Sequence, residues 1–386
     1  MPAAHIFTVN QTTFNIHLNY MFAGTGAGRE GDSKPEQKGA LADILGIRPN
    51  DYILFYVAGW GFYGFFRAKQ TGNNLVFYES PQNQYLNDDL AGKTLTYRLF
   101  IEPSEYGVCR YGVNEWDALE NPENIQDQSV FNMQWTWIFK KLKGGRGCTA
   151  IPKEEFQLLK NVVTSNNKKL ENSKCYGFAE GEIHTSDQIY EYQGNISKSP
   201  VLSGNLRKVV KEVDLRLFFT ASSGLDNILN EVLNPAEHGQ ITYIANENKC
   251  SFGMKSIDLL FLTDQDKCLL IELKNGFNCD DSVIVQISGY ARWISSYKPY
   301  LKEIIPILIV REPRLYPARK GGKYFKYLSE TDRLNNQLSP WYKEKINQIQ
   351  NAKVILKSNN IEKLSELKVY EFHTDNNNIL QSFTAL

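Results

Sequence analysis

Residues 255–276, KSIDLLFLTDQDKCLLIELKNG, constrain the fold more than any other part of the chain. Two apolar runs, SIDLLFL and CLLIELK, flank the polar turn TDQDK, a pattern that reads as two buried strands. Alternate residues of a strand share a face. Glu272 and Lys274 therefore point the same way on the second strand, while Ile271 and Leu273 face the other layer. Asp258 lies on the first strand, facing opposite to Ile257 and Leu259. If the two strands are neighbours, two carboxylates and one ammonium group converge on a single place. An isolated Glu-x-Lys is usually a solvated ion pair. Flanks this apolar make burial costly for charges that have no use, so these three are expected to form a site.

Hard oxygen ligands of this kind suit Mg²⁺ or Mn²⁺, and Mg²⁺ keeps positions open for water and a phosphate oxygen. Phosphodiester hydrolysis needs a water made nucleophilic and charge neutralised on the phosphate. A metal can supply both, and Lys274 can orient the water or stabilise the developing negative charge.

At these residues the sequence resembles the PD-(D/E)XK nuclease superfamily, in the branch of restriction enzymes and archaeal-type mismatch endonucleases. The resemblance covers roughly residues 217–310: LDNILNEVL as a helix with an acidic residue, IDLLFL, LLIELKNG, and the helix VIVQISGYARWI. It implies Asp258 and Glu272 as metal ligands and Lys274 as the catalytic lysine. It further implies that Leu273 lends its backbone carbonyl to the metal, that Gln286 supports the site, and that Glu231 adds a ligand through water. Ile257 stands where the motif's proline would be.

Upstream the pattern is different. Residues 1–165 are rich in aromatic and β-branched runs, DYILFYVAG, GFYGFFRA, NNLVFYES and KTLTYRLFIEP, broken by glycine and asparagine. These predict a β-barrel or strongly curved sheet, with helices at 38–45 and 153–163. The runs DYILFYVAGWGFYGFFRAK, YRLFIEP and WTWIFKKLKGGRGCTAIPKEEFQLL resemble the PUA-like barrels that include EVE and YTH domains. That resemblance implies a reader of modified bases flipped out of a nucleic acid, with the base stacked on aromatic rings. Candidate stacking residues are Trp60, Phe62, Tyr63, Trp135 and Trp137, with Tyr20, His17 and Asp51 as further residues that could line a pocket. Lys140, Lys141, Lys143 and Arg146 are candidate phosphate contacts. Aromatic residues alternating in a small barrel also serve as core.

Residues 166–205 are polar and read as a linker or extended connector. From 206 to 386 strands alternate with helices, including a helix near 225–232 and one at 282–297, as in an α/β core with a mixed central sheet flanked by helices. The expected architecture is thus an α/β nuclease core preceded by a PUA-like α+β barrel. A basic loop, RLYPARKGGKYFKY, follows the strand IIPILIV. Forty-three basic residues balance forty-three acidic ones, so any nucleic-acid surface must be local. Six scattered cysteines without a CxxC pair argue against disulfide or zinc frameworks. With no apolar run long enough to span a bilayer, a soluble cytoplasmic chain with no membrane partner is expected.

The expected function is a modification-dependent DNA restriction endonuclease, a reader joined to a Mg²⁺-dependent cutter. It would act on DNA carrying a modified base, as a homodimer, because one such core holds one active site. Two alternatives keep part of this reading: a structure- or mismatch-specific repair endonuclease, and a non-cleaving DNA-binding protein with a degenerate core.

Overall fold

A computed structural model describes residues 2–26, 35–72, 75–79, 85–86, 90, 95–114, 147–165, 167–194, 196–198, 200–250, 256–276, 279–312 and 340–386. The chain is α/β with mixed sheets and divides into two compact units. The first comprises residues 1–204 with Tyr243–Lys249, the second Asn205–Thr242 with Cys250–Leu386.

The first unit is built on a curled half-barrel sheet. Its elements are β1 (Ala4–Val9), α1 (Gln11–Asn19), β2 (Phe22–Thr25), α2 (Pro35–Leu45), β3 (Tyr52–Val57), β4 (Gly61–Lys69), β5 (Val76–Tyr78), β6 (Tyr97–Pro103), β7 (Cys148–Ile151) and α3 (Lys153–Thr164). The strand order is β2-β6-β4-β3-β1-β7, with β5 also paired to β6. β1 and β3 run parallel, and among the described residues every other strand pair in this sheet is antiparallel. Every residue of β3, YILFYV, is buried, because both faces of the sheet are covered. Tyr52, Leu54 and Tyr56 pack with Phe156, Leu159 and Val163, which recur along one side of α3. On the other face Phe55 meets Phe14 and His17 of α1, at ring separations of 5.1 and 5.4 Å. Asn10 caps α1 by accepting a hydrogen bond from the Thr13 amide at 2.8 Å.

Residues 167–194 and 196–198 differ from the connector that their polar composition suggests. They form β8 (Tyr176–Ala179) and β9 (Glu182–Thr185), an antiparallel hairpin belonging to the first unit. Phe178 packs against Phe14 at 4.9 Å and Tyr63 at 5.2 Å, and Tyr176 and Ile183 are fully buried. A few aromatic anchors hold the stretch in place, while the many polar residues between them face solvent.

α4 (Pro200–Ser203) still belongs to the first unit, as does β10 (Ile241–Lys249) from Tyr243 onward; the second unit holds α5 (Glu212–Ser222), α6 (Asn230–Leu233), α7 (Pro235–His238), β11 (Ser256–Thr263), β12 (Lys267–Lys274), α8 (Asp281–Tyr297), β13 (Glu303–Arg311), α9 (Pro340–Ser358), β14 (Lys368–Thr374) and β15 (Leu380–Ala385). The sheet order is β10-β11-β12-β13-β14-β15. β12, β13 and β14 are parallel neighbours, with antiparallel pairs β11-β12 and β14-β15 outside them. α8 crosses from β12 to β13, and α9 packs beside it. α5 packs on β12. The central strands are buried almost throughout, which explains their unbroken apolar sequence.

The helix expected near 225–232 is instead a 3₁₀ turn at Asn227–Leu229 followed by the single turn α6. Asp226 caps the 3₁₀ turn, and Asn234 at φ +39° with Pro235 next ends α6. The long helix lies earlier, at α5, whose sequence EVDLRLFFTAS is buried on nearly all sides and shows little amphipathic period.

His17 gives this fold a pH dependence. It is fully buried, with Nδ1 2.9 Å from the Phe22 carbonyl oxygen, and burial holds its pKa down at about 3, against the opposing effect of that hydrogen bond. The unfolded chain therefore takes up a proton first as pH falls below the ordinary histidine value. Stability is complete above about 6.5 and is lost toward 3, with a limiting slope of about 1.4 kcal/mol per pH unit. Urea unfolding across this range is expected to show a steeper loss on acidification for the wild type than for His17→Gln. Parallel curves would show that the imidazole is not buried neutral.

Candidate active site

Four elements of the second unit bring charged and polar groups together at the end of the β11–β12 pair. The ladder between these strands pairs Leu262 with Cys268 through to Leu259 with Ile271 and stops there. One step further the register sets Asp258 opposite Glu272. In place of a backbone partner, the Leu273 amide donates to Asp258 Oδ2 at 2.9 Å. The N–H and C=O of a strand residue project to the same side, so the Leu273 carbonyl also faces the gap opened there.

Glu272 is 1% exposed. Its Oε1 accepts a hydrogen bond from Lys274 Nζ, whereas Oε2 is buried with no hydrogen-bond partner among the described residues. Burial and the nearby negative charge of Asp258 push the Glu272 carboxyl up to about 7, against the pull of Lys274. Asp258 is partly exposed, and burial raises its pKa despite the Leu273 amide and the positive charges of Arg216 and Lys274. Burial alone would lower Lys274, yet Glu272 and Asp258 together hold it above the ordinary lysine value. Lys274 is thus an ammonium group at neutral pH, a donor and not a base.

Glu212, in the first turn of α5, belongs to the same group of charges. Its Oε1 accepts from the Asn275 amide at 3.0 Å, one residue past Lys274, and its negative charge acts on Asp258, Glu272 and Lys274 alike. Buried Arg216, one turn further along α5, balances part of that charge. On α8, Gln286 Nε2 donates to the Tyr290 hydroxyl at 2.6 Å, and that hydroxyl donates to the Ser256 carbonyl at 2.5 Å. Gln286 therefore acts on the end of β11 through Tyr290. The Tyr290 phenol is held above its usual range by burial and by the charges of Glu272 and Asp258, with the Gln286 hydrogen bond opposing.

The structure thus gathers Asp258, Glu272, Leu273, Lys274 and Gln286, and places Glu231 elsewhere. Glu231 lies on α6, where its Oε2 accepts from the Phe383 amide of β15 at 3.3 Å. The acidic helix residue at the site is Glu212. The sequence signal for it is EVDLR, two acids in a first turn directly after the basic KVVK, which marks a helix start. Arg216 and Tyr290 carry no such signal.

In the first unit the aromatic candidates separate. Phe62 and Tyr63 are core: Phe62 packs on Tyr56 at 5.1 Å, and the Tyr63 hydroxyl donates to the Gly181 carbonyl at 2.8 Å. Trp60 is 41% exposed, lying on Gly181, where an added Cβ would meet the indole at 2.4 Å. Tyr20 packs edge-on to Tyr85 and Tyr190. His17 is buried, and Asp51 is occupied by the Ala3 and Arg48 amides and the His5 ring. Trp135, Trp137, Lys140, Lys141, Lys143, Arg146 and the basic loop after β13 lie outside the described residues.

Among the described residues, no three His, Cys, Asp or Glu side chains lie close enough to hold a metal by themselves. Two carboxylates with raised pKa values and one unpartnered buried oxygen still form an incomplete arrangement that a divalent cation would satisfy. Mg²⁺ suits it, because that ion takes few protein ligands and keeps several waters. Asp258, Glu272 and the Leu273 carbonyl would be its protein ligands.

Compared with known proteins, the chain matches no family model, and no curated protein matches it in sequence.

The cost of ionising Glu272 is measurable. A carboxyl whose folded pKa exceeds its unfolded one favours folding at low pH, and that contribution is lost as pH rises through about 7. Glu272→Gln is therefore expected to raise the thermal midpoint in cation-free buffer near pH 8, by on the order of 1 kcal/mol in stability. The gain should shrink toward pH 5. Calorimetry showing a lower midpoint for the variant at pH 8 would overturn this account.

Proposed function

We propose that this protein is a modification-dependent DNA restriction endonuclease that hydrolyses phosphodiester bonds with Mg²⁺. The observation that carries the reading is the group of Asp258, Glu272 and Lys274 at the opened end of the β11–β12 ladder, with Glu272 Oε2 buried and unpartnered among the described residues. A helix-strand-strand-helix arrangement surrounds it, and the PD-(D/E)XK resemblance supports the same chemistry for the same residues.

When bound, the cation would supply Lewis acidity, neutralising phosphate charge and making water a better nucleophile at neutral pH. The chain's own residues do the rest. Asp258 and Glu272 present the anionic oxygens that select a hard cation. Lys274, kept protonated by these two carboxylates, can turn one N–H to a phosphate oxygen and stabilise the charge that grows as the P–O bond to the leaving group breaks. Glu212 fixes the backbone just after Lys274 and so sets where that ammonium group sits. The Gln286–Tyr290–Ser256 chain does the same for the strand that carries Asp258.

Recognition is assigned to the first unit, where Trp60 offers an exposed indole for base stacking beside the curled sheet. Stacking of that kind contributes about 1–3 kcal/mol per base.

Digestion of plasmids carrying methylated adenine, methylated cytosine, hydroxymethylated cytosine or no modification tests both halves. Mg²⁺-dependent cutting of a modified plasmid alone is expected. Equal cutting of all removes the reader, and no cutting of any in Mg²⁺ or Mn²⁺ removes the nuclease. Asp258→Ala and Lys274→Ala should abolish cleavage and leave DNA binding intact.

The two helix glutamates give a sharper comparison. Glu212→Gln is expected to slow cleavage by at least about tenfold, a loss of roughly 1.4 kcal/mol in the transition state, while Glu231→Gln leaves the rate unchanged. The reverse order in single-turnover rates would return the acidic role to Glu231.

A further inference from the structure

Past the end of β12, two stretches of the second unit lie side by side and form a rim. Lys208 bridges to Ile379, the Val209 amide donates to the Asn378 carbonyl at 2.8 Å, and the Leu380 amide donates to the Arg207 carbonyl at 2.8 Å. Asn275 Nδ2 donates to the Val210 carbonyl at 2.8 Å, so the rim is tied to the chain one residue past Lys274. Buried Arg311 donates to the Val209 carbonyl at 3.1 Å. The backbone from 207 to 210 is thus fixed from three directions.

The charges of this rim are sorted. Its acids are taken up by groups of the rim and its neighbours. Asp226 holds Arg207 at 2.8 and 2.9 Å, and Asp214 accepts from the Val210 and Lys211 amides at 2.9 and 2.8 Å. Asp375 accepts from the Asn377 and Ile379 amides, each at 2.8 Å, and Glu212 from the Asn275 amide. Lys208 and Lys211 are exposed, and neither has an ion-pair partner among the described residues.

We infer that the rim carries the phosphates of the DNA strand leading into the cleavage site, with Lys208 and Lys211 on separate phosphates. Resting on the nuclease reading for its ligand, the assignment adds where the strand lies. A strand whose scissile phosphate reaches Lys274 must pass over what lies beside Lys274, and on this side that is the rim. Lysine meets phosphate as a point charge, so an unpaired ammonium group on a fixed backbone is sufficient. Lys211 is extended, at φ −129° and ψ 166°. Three residues of extended chain set the two lysines about 10 Å apart, against about 3.4 Å of duplex axis per phosphate of one strand.

The test is binding of the full chain to a short, unmodified, fluorescein-labelled DNA duplex without divalent cation, followed by anisotropy from about 50 to 200 mM salt. The slope of log affinity against log salt reports the phosphates neutralised, at about 0.9 each. Lys208→Gln and Lys211→Gln should each reduce the slope by about 0.9, and the double variant by about 1.8. Lys302→Gln, at the other end of β13 and paired with Asp266 at 3.2 Å, should leave it unchanged. In Mg²⁺ the double variant should show a KM at least tenfold higher with the saturating rate unchanged, because these lysines hold the strand and take no part in bond breaking. Circular dichroism checks that each variant is folded. Slopes equal to the wild type's in a protein that cuts DNA overturn the inference and leave the nuclease reading standing. A lower saturating rate at constant KM also overturns it. The expected slope changes without cutting in Mg²⁺ or Mn²⁺ remove the nuclease reading alone, and a wild type that binds no duplex removes both.

Discussion

The second unit is organised around one unfavourable electrostatic arrangement, two carboxylates brought together on neighbouring strands of an apolar sheet. Like charges at this range repel, and loss of water makes each more costly. Lys274 and Arg216 offset part of the repulsion, yet Glu272 still sits near neutrality with one oxygen unmatched. Such a cluster persists only where the surrounding structure is rigid enough to hold it. Here that rigidity comes from strands buried on both faces and helices packed on them.

The end of β12 shows how the sheet is held. Asn275 is tied at three atoms: its amide to Glu212, its Nδ2 to the Val210 carbonyl, and its Oδ1 to Arg311 Nη1 at 2.8 Å. Buried Arg311 reaches on to the Val209 carbonyl, Thr374 and Asn378, linking the ends of β13 and β14 to the segment leading into α5. Charge-assisted hydrogen bonds to a buried guanidinium are directional as well as strong. Lys274 therefore emerges from a strand whose end cannot shift without breaking this network.

The strands and the α8 helix were legible in the sequence because their signals are local. SIDLLFL and CLLIELK alternate within buried runs, and VIVQISGYARWI has a helical period. α5 was hidden because a helix buried on nearly all sides loses the polar stripe that announces it, so Glu231 on a nearby acidic segment stood in for Glu212. Residues 167–194 and 196–198 were hidden for the opposite reason. Their burial depends on a few rings, Tyr176 and Phe178 among them, that composition averages away. Spacing along the chain could not separate Phe62 and Tyr63, which are core, from Trp60, which is open, because all three lie at one glycine-rich turn. Tyr290 joins the site only through a hydroxyl that reaches across to β11, and no local pattern encodes that reach.

The Leu273 amide has a consequence for how this molecule could be observed. Most amides in a sheet interior donate to carbonyl oxygens whose charge never changes. Leu273 donates to a carboxylate whose protonation and ligation both alter its strength as an acceptor. Its nitrogen and proton resonances should therefore move with whatever happens at Asp258, although the leucine side chain lies on the far face of the strand. The backbone beside the acidic pair is a built-in spectroscopic probe of its state.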